Sequence, residues 1–142
     1  MQNSIVEKNF KIGCRAAEIK PLLAEVFSEL DKLLNDAAEI KFKLEIAARE
    51  MLANAIEHGC ALAAEKCAGS ENLRIKIKLL LEADELNFEV EDPGPGFDWE
   101  NYNLDTMPKF EEQGRGLKMI NQVSDQIKFN QAGNKIRACF KL

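Results

Sequence analysis

Hydrophobic and polar residues follow two different periods along the chain, and the changes of period predict its elements. Apolar residues recur at three- and four-residue steps from Ile19 to about Asn35, and again from about Glu39 to His58. This spacing is typical of amphipathic helices. Pro21 fits the first turn of the first helix, where a missing amide hydrogen does no harm. Gly59 follows the second pattern and is typical of a helix end.

Alternation of apolar and polar residues predicts the strands. In Leu73–Leu81, apolar residues alternate with Arg74, Lys76 and Lys78, and Leu86–Val90 alternates similarly, which favours an antiparallel hairpin with one solvated face. The other predicted elements are an edge strand Ile5–Ile12, a turn at Ala83-Asp84, a loop Pro93–Gln113, a helix from Gly116 to about Ser124, and a last hairpin, Gln126–Asn130 and Lys135–Leu142, with Gly133-Asn134 in its turn.

This order of elements predicts an α+β fold. Helices would cover one face of a mixed, mostly antiparallel sheet, which makes a two-layer α/β sandwich. At 142 residues the chain has the usual length of one domain, so we expect residues 1–142 to form a single domain.

Composition and charge narrow the class of protein. The chain is 46% hydrophobic and 30% charged, and no apolar run approaches the roughly 20 residues that a membrane helix needs. With no secretion pattern at the amino terminus, we expect a cytoplasmic protein. A net charge of −5 argues against direct nucleic-acid binding and favours a protein or small-molecule partner. Four scattered cysteines without a CxxC pair are interpreted as small buried thiols.

The second predicted helix carries Glu50, Asn54 and His58 at four-residue spacing. Residues four apart on a helix are neighbours about 5–6 Å apart at Cβ, so the three side chains can contact one ligand. A carboxylate one turn before a carboxamide suits a site where the amide oxygen binds a hard cation and the acid takes a proton from a nucleophile. A solvated helix edge with a capping histidine is the alternative interpretation.

A segment rich in glycine and proline, EDPGPGF from Glu91 to Phe97, directly follows a predicted strand. Gly94 and Gly96 let the backbone turn tightly against a flat or charged ligand, and Asp92 offers a carboxylate at the strand end. A rigid turn without a ligand would explain the same residues.

A second glycine segment, EQGRGLKMI, places Gly114, Arg115 and Gly116 at the start of a predicted helix. Exposed N–H groups and the positive end of the helix dipole can bind phosphate there, and the arginine adds a fixed charge. A simple loop-to-helix transition is the alternative. The chain has neither a Walker lysine motif nor a dinucleotide fingerprint.

In order and spacing, these three segments resemble the GHKL superfamily of ATP-binding domains, which includes histidine kinases, gyrase-type ATPases, Hsp90 chaperones and bacterial anti-sigma factor serine kinases. The resemblance runs from about Ile40 to the carboxyl terminus and implies the Bergerat, or histidine kinase-like ATPase, fold. The segments ANAIEHG and DPGPGFD, and the short stretch Phe97–Gln113 between the glycine segments, are most similar to the anti-sigma kinase branch.

The resemblance implies roles for the residues that match these motifs. Glu50 would be the general base, and Asn54 would coordinate a Mg²⁺ ion that bridges the phosphates of ATP. Asp92 would accept a hydrogen bond from the adenine amino group. Gly94 and Gly96 would let the base lie against the backbone.

Further residues are expected around the same nucleotide. Gly114 and Gly116, followed by Leu117, would let the end of the lid wrap the triphosphate, and Arg115 is expected to contact phosphate from its charge and position. His58 either caps the helix or contacts the edge of the ligand. Family members commonly carry Gly-Thr in the last hairpin, and here Asn134 stands in place of the threonine.

The implied activity is that of a bacterial ATP-dependent protein serine/threonine kinase acting as an anti-sigma factor. It would phosphorylate a STAS-type anti-anti-sigma protein and sequester a sigma factor. The resemblance also implies a homodimer as one assembly to test. A non-catalytic ATP-binding module and a simple ATPase remain open, although Glu50 argues against the first. In the lid, Trp99, Tyr102 and Phe110 are either packing residues or a partner surface.

Overall fold

A computed structural model describes residues 5–34, 37–66, 73–82, 84–96 and 112–142 of the chain. In that part of the chain the strands are β1 (Val6–Gly13), β2 (Arg74–Leu81), β3 (Glu85–Glu91), β4 (Gln126–Phe129) and β5 (Lys135–Lys141). The helices are α1 (Ile19–Leu33), α2 (Ala38–Asn54), a π-helical segment (Ala55–Cys60), α3 (Ala61–Lys66) and α4 (Glu112–Val123), with a 3₁₀ turn at Ala16–Glu18.

The five strands form one sheet in the order β1-β2-β3-β5-β4, and every neighbouring pair is antiparallel. A row of apolar residues crosses the whole sheet at one register. Its members, in the order of the strands, are Phe10, Ile77, Val90, Ile136 and Phe129. This alignment explains why the alternating pattern of each strand places its apolar residues on the same face.

The helices cover that apolar face, so the predicted two-layer α+β sandwich is confirmed. α1 contributes Leu22, Leu23, Val26 and Leu30 to the core, each at most 3% exposed. From α2, residues that include Leu44, Ala48, Met51 and Leu52 are buried against the sheet.

The opposite face of the sheet carries charged side chains that pair across the strands. Arg137 donates to Glu89 at 2.9 Å, and Lys78 lies 3.8 Å from Glu7. One apolar face and one ion-paired face are what the alternation in β2 and β3 predicts.

The second predicted helix differs from the prediction at its carboxyl end. Instead of ending at His58, the chain passes from α2 into the π-helical segment and then into α3. Gly59 therefore does not end a helix, and the glycines with positive φ among the described residues are Gly96 and Gly133. The prediction that Gly59 closes the helix is wrong.

Cysteine pairing is a second correction. Cys14, just after β1, forms a disulfide with Cys60, the last residue of the π-helical segment, with 5.9 Å between their Cα atoms. The interpretation as buried thiols is wrong for these two residues, because a distant pair cannot be read from local spacing. It is confirmed for Cys139, which is free and buried, whereas Cys67 lies outside the described residues.

Some predictions fall beyond the part of the chain that the structure describes. Most of the predicted lid, with Trp99, Tyr102 and Phe110, lies outside it, as does Ala83 of the first hairpin turn. Within the described helices, none is both long and apolar enough to cross a membrane.

Candidate functional site

A cavity of about 130 Å³ lies where the end of α2 and the π-helical segment face the ends of β3 and β5. Much of its wall is apolar, from side chains such as Met51, Val90, Leu117 and Phe129, while Asn54, Asp92 and Asn134 supply polar groups. Apolar walls with a few placed polar groups are typical of small-molecule sites. The cavity therefore suits a flat ligand with a polar edge.

Asp92 directly follows β3 and is held by two backbone hydrogen bonds. The N–H of Gly94 donates to its Oδ1 at 2.7 Å, and its own N–H donates to the carbonyl of Asn134 at 2.9 Å. Burial raises the pKa of the Asp92 carboxyl from the ordinary 3.8 to about 6; the charge of Glu91 adds to the rise, and the hydrogen bond from Gly94 opposes it. At pH 7 this carboxylate is ionised, costly to bury and suited to accept a hydrogen bond.

Gly59 is a glycine because Asp92 packs against it. A Cβ at position 59 would lie 2.1 Å from the Cγ of Asp92, a distance that no side chain tolerates. Sequence reasoning attributed this glycine to a helix end, whereas its real constraint comes from a strand distant in the sequence. Gly59 also lines the cavity.

The two glycines after Asp92 allow close backbone packing. A Cβ at Gly94 would lie 2.6 Å from the carbonyl oxygen of Gly59. Gly96 has a φ of 88°, and a Cβ there would lie 1.9 Å from the carbonyl oxygen of Ala132. Gly96 lines the cavity, whereas Gly94 shapes it from behind by holding the loop against the helical segment.

Glu50 and Asn54 come together with Gly116 where α2 packs on α4. A Cβ at Gly116 would lie 3.0 Å from Oε2 of Glu50, and 3.3 and 3.4 Å from the amide nitrogen and oxygen of Asn54. The glycine leaves room for both polar side chains between the helices. Asn54 lines the cavity, whereas Glu50 is not among the residues of its wall.

The structure corrects the prediction for the second glycine segment. α4 begins at Glu112, four residues before the predicted start, so Gly114 and Arg115 lie in its first turn and Gly116 lies one residue further in, whereas the prediction began the helix at Gly116. The first four N–H groups of a helix, from the N-cap to the third helical residue, lack intrahelical acceptors; in α4 these include the amide of Gly114 but not those of Arg115 and Gly116. The side chain of Arg115 is outside the described part of the structure.

His58 and Asn54 both line the cavity, but they do not belong to one regular helical stripe. α2 ends at Asn54, and the following π-helical segment has i→i+5 hydrogen bonding, which adds a residue to the turn. The predicted four-residue stacking therefore holds for Glu50 and Asn54 within α2 and changes before His58.

Asn134 lies at the start of β5 beside Asp92. Its Nδ2 donates to the Asp92 carbonyl at 3.3 Å, and its Oδ1 accepts a hydrogen bond from Nδ2 of Asn130 at 2.6 Å. The Nδ2 side of the carboxamide thus faces the backbone of Asp92.

Several residues of the cavity wall were not among the predicted site residues, namely Met51, Ala55, Gly59, Val90, Phe129, Gly133 and Ile136. Most are apolar and carry no chemical signature of their own. Only their positions beside the motifs could have identified them. Met51 and Ala55 each follow a motif residue of α2, and Val90 precedes the Glu91–Phe97 segment.

The fold and the cavity together define a class. An antiparallel sheet covered by helices, with a buried carboxylate after β3 and an acid and amide pair on α2, forms a nucleotide-binding domain of the GHKL type. The family model of the histidine kinase-like ATPase domain matches residues 15–140 of the chain. The chain belongs to this family, and the domain is an ATP-binding one. A search of curated proteins found no match.

Proposed function

We propose that the chain is an ATP-dependent protein serine/threonine kinase that acts as a bacterial anti-sigma factor. It transfers phosphate to a serine of a STAS-type anti-anti-sigma protein and sequesters a sigma factor. The observation that supports the kinase assignment is the convergence of Glu50 and Asn54 at Gly116. In the proposal, Glu50 acts as a proton acceptor beside Asn54, whose amide oxygen is a hard ligand and which lines the cavity.

The cavity accounts for how the base would be held. Asp92 accepts a hydrogen bond from the adenine amino group, while Val90, Phe129 and Ile136 supply apolar surface for the ring. Gly96 permits the close backbone approach, with Gly94 behind it. These contacts orient the triphosphate toward Asn54.

The donor set at Asn54 fits magnesium. Mg²⁺ prefers oxygen ligands and is usually bound through one or two protein oxygens together with substrate phosphates and water. The amide oxygen of Asn54 would supply the protein ligand, and Mg²⁺, when bound, would neutralise charge on the phosphates. The amide of Gly114, in the first turn of α4, can donate to phosphate oxygens, and Arg115 would add its charge there.

In the transfer step, the serine oxygen forms a bond to the γ-phosphorus while the bond from that phosphorus to the β–γ bridging oxygen breaks, and ADP leaves. Glu50 takes the proton of the serine hydroxyl. Phosphoryl transfer depends mainly on positioning and electrostatics, so the mechanism requires no acid or base from the protein other than Glu50.

The sigma factor and the anti-anti-sigma partner rest on the resemblance of ANAIEHG and DPGPGFD to the anti-sigma kinase branch. The homodimer and the cytoplasmic location rest on the same comparison of motifs and on composition. The identity of these partners is therefore tested separately from the phosphoryl-transfer activity.

The test is transfer of label from [γ-³²P]ATP, with Mg²⁺, to each STAS-type protein of the source genome and to its variant with the acceptor serine changed to alanine. We expect label on the first and none on the second. Glu50→Gln should slow transfer by about 10²- to 10⁴-fold while ATP affinity stays within about threefold.

The matched control is Glu45→Gln, because Glu45 is exposed on the same helix and pairs with Arg49, at 3.8 Å, among the described residues. It should transfer label at the natural rate. Label released as free phosphate regardless of partner would indicate an ATPase, and ATP binding without release or transfer would indicate a non-catalytic module. Either result contradicts the kinase proposal.

A further inference from the structure

Asn130, directly after β4, organises the turn that precedes β5. Its Oδ1 accepts hydrogen bonds from three consecutive backbone N–H groups, those of Gly133 at 2.8 Å, Asn134 at 3.1 Å and Lys135 at 3.2 Å. Three donors converging on one atom require that atom to be the oxygen of the carboxamide. The orientation of the Asn130 side chain is therefore determined by the turn.

This orientation determines that of the next amide. With its oxygen in the turn, Asn130 presents Nδ2 to Asn134 at 2.6 Å, and the atom that receives this hydrogen bond must be Oδ1 of Asn134. Nδ2 of Asn134 is then on the side of Asp92, where one of its hydrogens is donated to the Asp92 carbonyl at 3.3 Å. The amide has a second hydrogen to donate.

Asn134 and Asp92 line the same cavity, so together they present a carboxylate acceptor beside an amide donor. Adenine offers the complementary pair in its amino group, which is a donor, and the adjacent N1, which is an acceptor; its other acceptor beside the amino group, N7, is shared with guanine. Guanine has a carbonyl oxygen in place of the amino group and an N–H at N1, and so mismatches this pair.

We propose that Asn130 is a positioning residue that fixes Asn134 as a hydrogen-bond donor to N1 of adenine, giving the site a second element of adenine selectivity beside Asp92. The proposal rests on the adenine site of the proposed function. A hydroxyl at position 134 could rotate to donate or accept, whereas the amide held by Asn130 can only donate toward the cavity.

The experiment compares the affinities of ATP, 1-deaza-ATP and 7-deaza-ATP by calorimetry. Each analogue replaces one ring nitrogen by C–H and keeps the amino group that Asp92 recognises. The natural protein should bind 1-deaza-ATP about tenfold more weakly than ATP, as expected for loss of one hydrogen bond, and should bind 7-deaza-ATP as tightly as ATP.

Asn130→Asp is the informative variant. Aspartate keeps an acceptor for the three turn amides but has no hydrogen to give Asn134, whose amide is then free to turn around. The tenfold penalty for the deaza analogue should disappear, and affinity for ITP relative to ATP should rise. Gln126→Glu adds the same charge at an exposed position of β4 and should leave the ratios unchanged.

Asn134→Ala tests the donor without altering Asn130 and should also remove the analogue penalty. If 1-deaza-ATP binds the natural protein as tightly as ATP, or if either site variant keeps the natural ratio, the inference is overturned while ATP binding stands. Absence of ATP binding to the natural protein would overturn the proposed function itself.

Discussion

The carboxylate of Asp92 is expected to have two opposite effects: it binds the nucleotide, and its burial lowers the free energy of unfolding. Replacing Asp92 by Asn should therefore weaken ATP binding and stabilise the fold. The ionised group is partly buried at the end of β3, and burial raises its pKa from 3.8 to about 6. The asparagine variant keeps an oxygen that can accept the Gly94 N–H, now 2.7 Å from Oδ1, but it has no charge to bury.

The expected gain in stability follows from the pKa. At 1.36 kcal/mol per pKa unit the rise corresponds to about 3 kcal/mol. Because Asp92 is partly exposed, solvent screening reduces this to about 1–2 kcal/mol. For a domain of this size the change raises Tm by about 3–6 °C at pH 7 and above.

The sign of the pH dependence is opposite to that of a carboxylate in an ion pair. Because the pKa of Asp92 is higher in the folded state than in the unfolded state, protonation favours folding, and the penalty of the ionised group disappears as the pH falls through 6 toward 4. The advantage of Asp92→Asn over the natural protein should therefore be largest at pH 7–8 and shrink at pH 4–5.

Thermal unfolding without nucleotide, followed by circular dichroism between pH 4.5 and 8, measures this difference. Asp125→Asn is the matched control, because Asp125 is exposed and also accepts a backbone hydrogen bond, from Lys141 at 2.7 Å. In ATP titrations Asp92→Asn should bind about 10- to 100-fold more weakly, since its single oxygen is occupied by Gly94. An Asp92→Asn protein no more stable than the natural one at pH 7.5 would refute the burial argument.

Three further predictions concern the helices around the cavity. Asn54→Ala should make ATP affinity independent of Mg²⁺, and a magnesium titration identical to that of the natural protein would contradict the ligand assignment. Gly59→Ala should destabilise the fold by about 1–3 kcal/mol in urea unfolding and weaken ATP binding, because its Cβ would lie 2.1 Å from the neighbouring carboxyl carbon; natural affinity in this variant would show that the packing is not needed. Replacing Cys14 and Cys60 by Ser should cost about 2–4 kcal/mol, because the bond closes a loop of sequence separation 46. Reductant should lower the stability of the natural protein by a similar amount and leave the double variant unchanged, and a natural protein insensitive to reductant would contradict the bond.

Much of the fold could be predicted from local patterns. The alternation in β2 and β3 and the helical spacing in α1 identify which face of each element is buried, because burial has the same period as the backbone geometry. The last hairpin could be predicted from Gly133-Asn134, and Gly133 does have a positive φ of 83°. Element ends were less predictable, as the early start of α4 shows.

The motif residues of the candidate site could also be predicted, since a carboxylate one helical turn before an amide and glycines after a strand are visible in a single segment. Where two segments contact each other, the sequence did not predict which neighbour requires a given residue type. Gly59 fits a helix end by its sequence context, yet its constraint is the side chain of Asp92, which is far along the chain.

The sequence by itself determined the layers of this domain and the segments that surround its cavity, because both depend on the identity and spacing of neighbouring residues. Tertiary structure alone decided the bond between Cys14 and Cys60, the packing of Gly116 on Glu50, and the orientation of the Asn134 amide. These features depend on distances between atoms that the chain brings together only on folding, and no local pattern of residues encodes such distances.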